Sequence, residues 1–140
     1  MKQLAILILG FTILGVSACR KVTNEYYTTP NQTAYETLEA GRWTSNDAGL
    51  TYSASINFLN SDVYQNDFDG VLVYISFDGD NVADIDRNWE PISQVFDGVS
   101  YSYFVSQQKL TLQIQNSDGL GTVNPPGRVR IKIVMIVSQD

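Results

Sequence analysis

Asp84, Asp86 and Asn88 alternate along residues 78–88 (DGDNVADIDRN) with the spacing of side chains that coordinate calcium from a loop. Calcium requires about six to eight hard oxygen ligands, and carboxylates on alternate residues are one way to supply them. The pattern then breaks, because Trp89 stands where such a loop needs its turn glycine and Val95 where it needs a bidentate acid. The stretch therefore reads first as a solvated acidic loop between strands, with Asp84, Asp86 and Asn88 as a weak calcium candidate. Aromatic residues form a second group. Trp43, Tyr64, Trp89, Tyr101 and Tyr103 would stack on sugar rings if they stood exposed on one surface. Tyr101 and Tyr103 share a face with Val99 and Val105, which reads as core, so the weak glycan-binding candidates are Trp43 and Trp89.

Nucleophilic and acid–base chemistry finds little support. The chain contains no histidine, which removes the commonest general base and metal ligand and every Ser-His or Cys-His pair. Residues 98–102 (GVSYS) miss the G-x-S-x-G nucleophile elbow at the last position. Lys21, Lys109 and Lys132 lie in no recognisable Ser-Lys motif, and with fifteen acids some carboxylate pair is inevitable. The expectation is a non-catalytic protein that needs no cofactor and has no metal site. Formal charge is −6, and Lys2 is the only charged residue among the first eighteen, so the remainder carries −7. With sparse, scattered basic residues, that balance argues against nucleic acid as a partner.

The elements that would position these side chains follow period two. Tyr52, Ala54, Ile56 and Phe58 alternate with polar residues, as in a half-buried strand. Val71, Val73, Ile75 and Phe77 share a face while Leu72 and Tyr74 occupy the other, predicting a central strand covered on both sides. Val99, Tyr101, Tyr103 and Val105 form a further run, followed by Leu110, Leu112 and Ile114. Residues 129–137 are apolar on both faces and predict an interior strand. Weaker strands are expected near residues 35–40 and 89–95, and one helical turn near residues 59–66. Asp-Gly occurs four times beside strand candidates, whereas Gln107-Gln108 suits a tight hairpin poorly and suggests a longer loop. About seven short strands indicate an all-β, antiparallel β-sandwich, with a partly open barrel as alternative.

The amino terminus carries an address. Met1-Lys2 precedes an apolar run over residues 4–16, which as a helix would rise about 20 Å, short of the ~30 Å hydrocarbon core of a membrane. That length suits the apolar segment of a signal peptide. Val16-Ser17-Ala18-Cys19 follows, with Cys19 the single cysteine. The run resembles the lipobox of bacterial lipoproteins, which implies cleavage before Cys19, a thioether-linked diacylglycerol on it and a further acyl chain, commonly palmitate, on its amine. Two or three acyl chains hold a protein on a membrane durably where one does not. Arg20, rather than the Asp that marks inner-membrane retention in some Gram-negative bacteria, favours the outer membrane. Residues 1–18 are thus expected to be signal peptide, 19–34 a lipidated tether reaching up to about 45 Å, and 35–140 the sandwich domain.

One further resemblance adds to this reading. Gly70-Val71-Leu72-Val73-Tyr74, then Trp89-Glu90-Pro91-Ile92, Tyr101-Ser102-Tyr103 and Leu110-Thr111-Leu112-Gln113-Ile114 are similar to segments of single-domain lipoproteins of Bacteroidota. The similarity covers roughly residues 43–137 and implies a sandwich-like fold without a defined activity. The expected role is that of a structural or interaction lipoprotein of the cell envelope, partnered by the membrane through Cys19 and by an envelope protein or a glycan. The glycan-binding alternative depends on whether Trp43 or Trp89 is exposed among polar neighbours.

Overall fold

Strands whose side chains alternate between apolar and polar can bury only one face, and two such sheets satisfy each other by packing those faces together. The computed structural model describes residues 31–57, 70–106 and 109–136 and has this form. Eight strands are present among the described residues: β1 Gln32–Leu38, β2 Thr51–Asn57, β3 Gly70–Ser76, β4 Glu90–Ile92, β5 Gln94–Phe96, β6 Val99–Ser106, β7 Lys109–Asn116 and β8 Val129–Ile136. They make two antiparallel sheets of four, ordered β1-β8-β3-β4 and β2-β7-β6-β5. The protein is an all-β sandwich.

The core is the set of inward residues that the alternation marks. Val73 and Ile75 of β3 and Val129, Ile131, Ile133 and Met135 of β8 face Ala54 and Ile56 of β2 and Leu110, Leu112 and Ile114 of β7. β8 lies inside its sheet, with Ile133 opposite Ala34 on one side and Val73 on the other. Its second face is less covered than expected: Val134 and Ile136 are only partly buried, and on β3 Leu72 is 44% exposed. The second faces of β3 and β8 belong to the outer surface of the first sheet, and around Leu72, Val134 and Ile136 no further layer of the described residues covers it. Phe77, 47% exposed, has already left the strand and packs edge-on against Phe96 and Tyr101.

Three boundaries differ from those expected. The segment 89–95 is two strands, because the chain passes at Ser93 from β4, paired with β3, to β5, paired with β6 in the other sheet. β1 begins at Gln32, within the stretch assigned to the tether, because its amide ladder continues as far as Met135 of β8. β6 and β7 pair out to Ser106 opposite Lys109, each a residue farther than expected, while Gln107-Gln108, where the sequence suggests a longer loop, lie outside the described residues. Phe58, Tyr64 and the expected helical turn at 59–66 lie outside the described residues. The Asp97-Gly98 hairpin is as expected: φ is +50° at Asp97 and +77° at Gly98, the left-handed pair that matches strand twist and that Asp-Gly tolerates.

The lateral edges are closed by the chain itself. Between β1 and β2 the short 3-10 turn Ala40–Arg42 carries the backbone from one sheet to the other. Thr44 then bridges to Ser53 of β2, and Arg42 Nη2 donates to the Ser55 carbonyl, blunting an edge strand that would otherwise offer free carbonyls to another chain.

Candidate functional site

Residues 77–89, which join β3 to β4, pack against the outer side of the first sheet and are fixed by their own polar groups. Asp78 sits at one end and Asn88 at the other. The Asp78 carboxylate accepts from the Asn88 backbone N–H at 2.7 Å, and the Asn88 side chain amide lies 3.4 Å away. That backbone hydrogen bond holds the Asp78 carboxyl below the usual carboxylate range. Arg87 lies within the loop, its side chain only 6% exposed, and donates to the carbonyls of Asp78 (2.8 Å) and Gly79 (3.1 Å). Turns closed by Val82 N–H on Gly79 O and Asp86 N–H on Ala83 O complete the backbone path.

Asp84 ties this loop to the sheet. Arg130 of β8 donates Nε to Oδ1 at 3.0 Å and Nη2 to Oδ2 at 2.8 Å, the parallel fork that suits a carboxylate, and its Nη1 reaches Thr37 Oγ1 at 2.8 Å. Arg87 Nε adds an ion pair at 3.3 Å without hydrogen-bond alignment. The hydrogen bonds from Arg130 hold the Asp84 carboxyl below its ordinary range and raise the guanidinium above its own. Farther out, Arg128 pairs with Asp80 and Glu39. Asp78, Asp80, Asp84, Arg87, Arg128 and Arg130 line a cleft of about 320 Å³ in which the three positive and three negative groups balance.

Calcium-type chemistry finds no support in this geometry. Of the three candidate ligands, Asp84 is engaged by two guanidiniums, Asn88 turns its amide to Asp78, and Asp86 stands exposed. Among the described residues no three Asp, Glu, Cys or His side chains lie together as a cation would need. The acidic loop is a brace.

What the loop positions is Trp89. Its indole N–H donates to the Asp84 carbonyl at 3.0 Å, and its ring lies 5.7 Å from Tyr35 at a 44° tilt. Pairing sets Tyr35 of β1, Lys132 of β8 and Tyr74 of β3 in one row across the sheet. The Lys132 ammonium lies 5.4 Å from the Tyr74 ring centre and 5.6 Å from that of Trp89, while the Arg130 guanidinium lies 5.7 Å from Tyr35. These are cation–π distances. The result is an aromatic patch around one lysine, with Tyr35 41% exposed and Leu72 beside it. The outer face of the second sheet differs: its cross-strand rows are Thr51-Gln115-Ser100, Ser53-Gln113-Ser102, Ser55-Thr111-Phe104 and Asn57-Lys109-Ser106, mostly hydroxyls and amides, and among the described residues its one aromatic, Phe104, and its one lysine, Lys109, form no ring–cation cluster.

The two tryptophans thus have opposite fates. Trp43, the other glycan candidate, is 6% exposed within the core, closed to a ligand and with its indole N–H unpaired. The burial of its ring follows from the Thr44–Ser53 bridge, which folds the residue under the sandwich edge. Tyr101 is likewise core, as expected, and Tyr103 is half-buried with its hydroxyl donating to Val71 O at 2.6 Å. Ser100 of the near-miss elbow lies in the polar rows of β6, and Cys19 lies outside the described residues. Tyr35, Tyr74, Lys132 and Arg130 were not marked by sequence as site residues. Alternation alone puts Arg130 with Lys132 on the outer side of β8 and Tyr74 on that of β3, but only the strand order makes them neighbours.

Fold and site together define a sandwich with one face mainly of hydroxyl and amide side chains and one face on which aromatic rings gather around a cation. No family model, curated protein or solved structure matches the chain.

Proposed function

We propose that this is a lipid-anchored, non-catalytic binding protein of the cell envelope that meets its partner through the outer face of the first sheet. The Val16-Ser17-Ala18-Cys19 run after an apolar segment supports the anchor, with Cys19 as the acylated residue and the outer membrane as the favoured location. The observation that carries the binding role is the clustering of Tyr35, Tyr74 and Trp89 around Lys132 on one outer face, whereas on the other Phe104 and Lys109 form no such cluster among the described residues. Aromatic rings held partly exposed by a dedicated brace favour contact with a ligand over simple solvation. The tether enters at Gln32, the end of β1 opposite the one where Arg130 meets Thr37 and Asp84. An anchored domain would therefore hold the braced end of this face away from the lipid.

The glycan reading keeps Trp89, which is partly exposed beside Tyr35 and Lys132, and loses Trp43. A photoreactive amino acid placed at Leu72 on the proposed face, or at Gln115 on the opposite one, tests the general reading in living cells. Cross-linked adducts are expected from position 72 and not from 115. Equal labelling from both, or none from 72, would show that the face makes no selective contact.

A further inference from the structure

Every arginine among the described residues is answered by a carboxylate: Arg42 by Glu36, Arg87 and Arg130 by Asp84, and Arg128 by Glu39 and Asp80. Lys132 is different. No carboxylate of the described residues lies within 4.0 Å of its ammonium, although the chain is acidic overall. Its charge is held over the rings of Tyr74 and Trp89, which attract a cation without neutralising it. The row Tyr35-Lys132-Tyr74 therefore holds, between aromatic surfaces, one positive charge that no carboxylate of the described residues answers.

We infer that this face binds an acidic sugar, a hexuronate unit within a glycan chain. The inference rests on the binding role proposed above and names its ligand. Three features of the patch choose the ligand. The rings of Trp89 and Tyr35 offer apolar area of the kind that covers the C–H face of a pyranose, which excludes a bare inorganic anion as the preferred occupant. The ammonium, already oriented by two rings, offers a charge-assisted hydrogen bond to a carboxylate, for which a neutral hexose has no equivalent group. Lys132 itself occupies the space between the rings, so the cluster cannot serve as a cage for a quaternary ammonium ligand. Arg130 adds no second anion contact, because its guanidinium is committed to Asp84 and Thr37. The site is thus monovalent in charge. With a net charge of −6 the protein exerts no long-range pull on a polyanion, so recognition works through one sugar unit at contact distance.

The test uses the full chain solubilised from membranes and fluorescently labelled uronate trimers of galacto, gluco and manno configuration, with the corresponding neutral hexose trimers as controls. At least one uronate trimer is expected to bind saturably and its neutral counterpart at least tenfold more weakly. Lys132→Met should abolish that preference, and Trp89→Ala should weaken binding of the uronate at least tenfold. Lys109→Met, at the exposed start of β7, should change nothing. Circular dichroism and melting of each variant separate lost binding from lost fold. Absence of binding by all three uronates, or an unchanged preference in Lys132→Met, overturns the inference. Equal binding of neutral trimers overturns the acidic preference while leaving a sugar-binding face. Failure of all trimers with cross-linking from position 72 intact would reject the sugar and keep the binding role, whereas loss of both would reject the role itself.

Discussion

Removing the Asp84 carboxylate should cost the fold far more than its place in an acidic loop suggests. Asp84 receives two parallel hydrogen bonds from Arg130, and the side chains of the pair are 32% and 27% exposed. Fully exposed ion pairs contribute about 0–1 kcal/mol, and breaking a buried one costs about 3–5. A two-thirds buried, bidentate pair falls between these limits, and the buried Arg87 also loses its nearest carboxylate, so Asp84→Ala should cost about 2 kcal/mol. For a domain of this size that corresponds to roughly 10 °C in Tm. Asp80→Ala provides the internal control: its pair with Arg128 is 67% and 48% exposed, so its loss should cost about 0–0.5 kcal/mol. Urea unfolding followed by tryptophan fluorescence and far-ultraviolet circular dichroism would measure both. A double-mutant cycle of Asp84→Ala with Arg130→Ala isolates the pair. Equal effects of the two Asp substitutions, or a coupling below about 0.5 kcal/mol, would refute the view of the loop as a brace.

Other consequences follow from the same structure. Because the Asp84 carboxyl lies below its ordinary 3.8 in the folded protein, its contribution is fully present above that value and is lost as pH falls through the lowered one; Asp84→Asn should flatten the acid limb of a stability profile, and an unchanged limb would assign acid sensitivity elsewhere. Trp43→Phe should cost less than about 1.5 kcal/mol, because the buried indole N–H has no partner to lose, whereas Trp43→Ala should cost about 3–5 in chemical denaturation. Truncation after Arg130 removes Ile131, Ile133 and Met135, each buried and each contributing roughly 1.5–3 kcal/mol, and should leave the chain unfolded; cooperative melting near the parent temperature would show β8 to be dispensable.

The fold was legible because alternation survives in one dimension. The runs Tyr52-Ala54-Ile56, Val73-Ile75, Leu110-Leu112-Ile114 and Val129-Ile131-Ile133-Met135 each announce a strand with a buried face. Sheet membership did not follow from alternation, and the switch at Ser93 between β4 and β5 carries no periodic signal of its own. The apolar second faces of β3 and β8 also misled, since Leu72 and Val134 adjoin the aromatic patch on the outer surface rather than a covering layer.

The candidate site was half legible. Trp89 stands out as an aromatic beside an acidic loop, but its neighbours come from β1, β3 and β8, and Asp84 meets Arg130 across 46 positions of sequence. Only pairing register brings Tyr35, Lys132 and Tyr74 into one row. The two tryptophans are chemically identical, and which one stays partly exposed depends on local geometry: an isolated bridge at Thr44 buries one ring, and a carbonyl at Asp84 holds the other on the sheet surface.

The proposed anchoring of this sandwich to a membrane through a lipid on Cys19 is tested by intact-mass spectrometry of the protein extracted with detergent from its native membranes. The expected species is a chain that begins at Cys19, lacks residues 1–18 and carries the added mass of a diacylglyceryl group and an amide-linked acyl chain. A water-soluble protein with an unmodified Cys19, or one that retains residues 1–18, would contradict it.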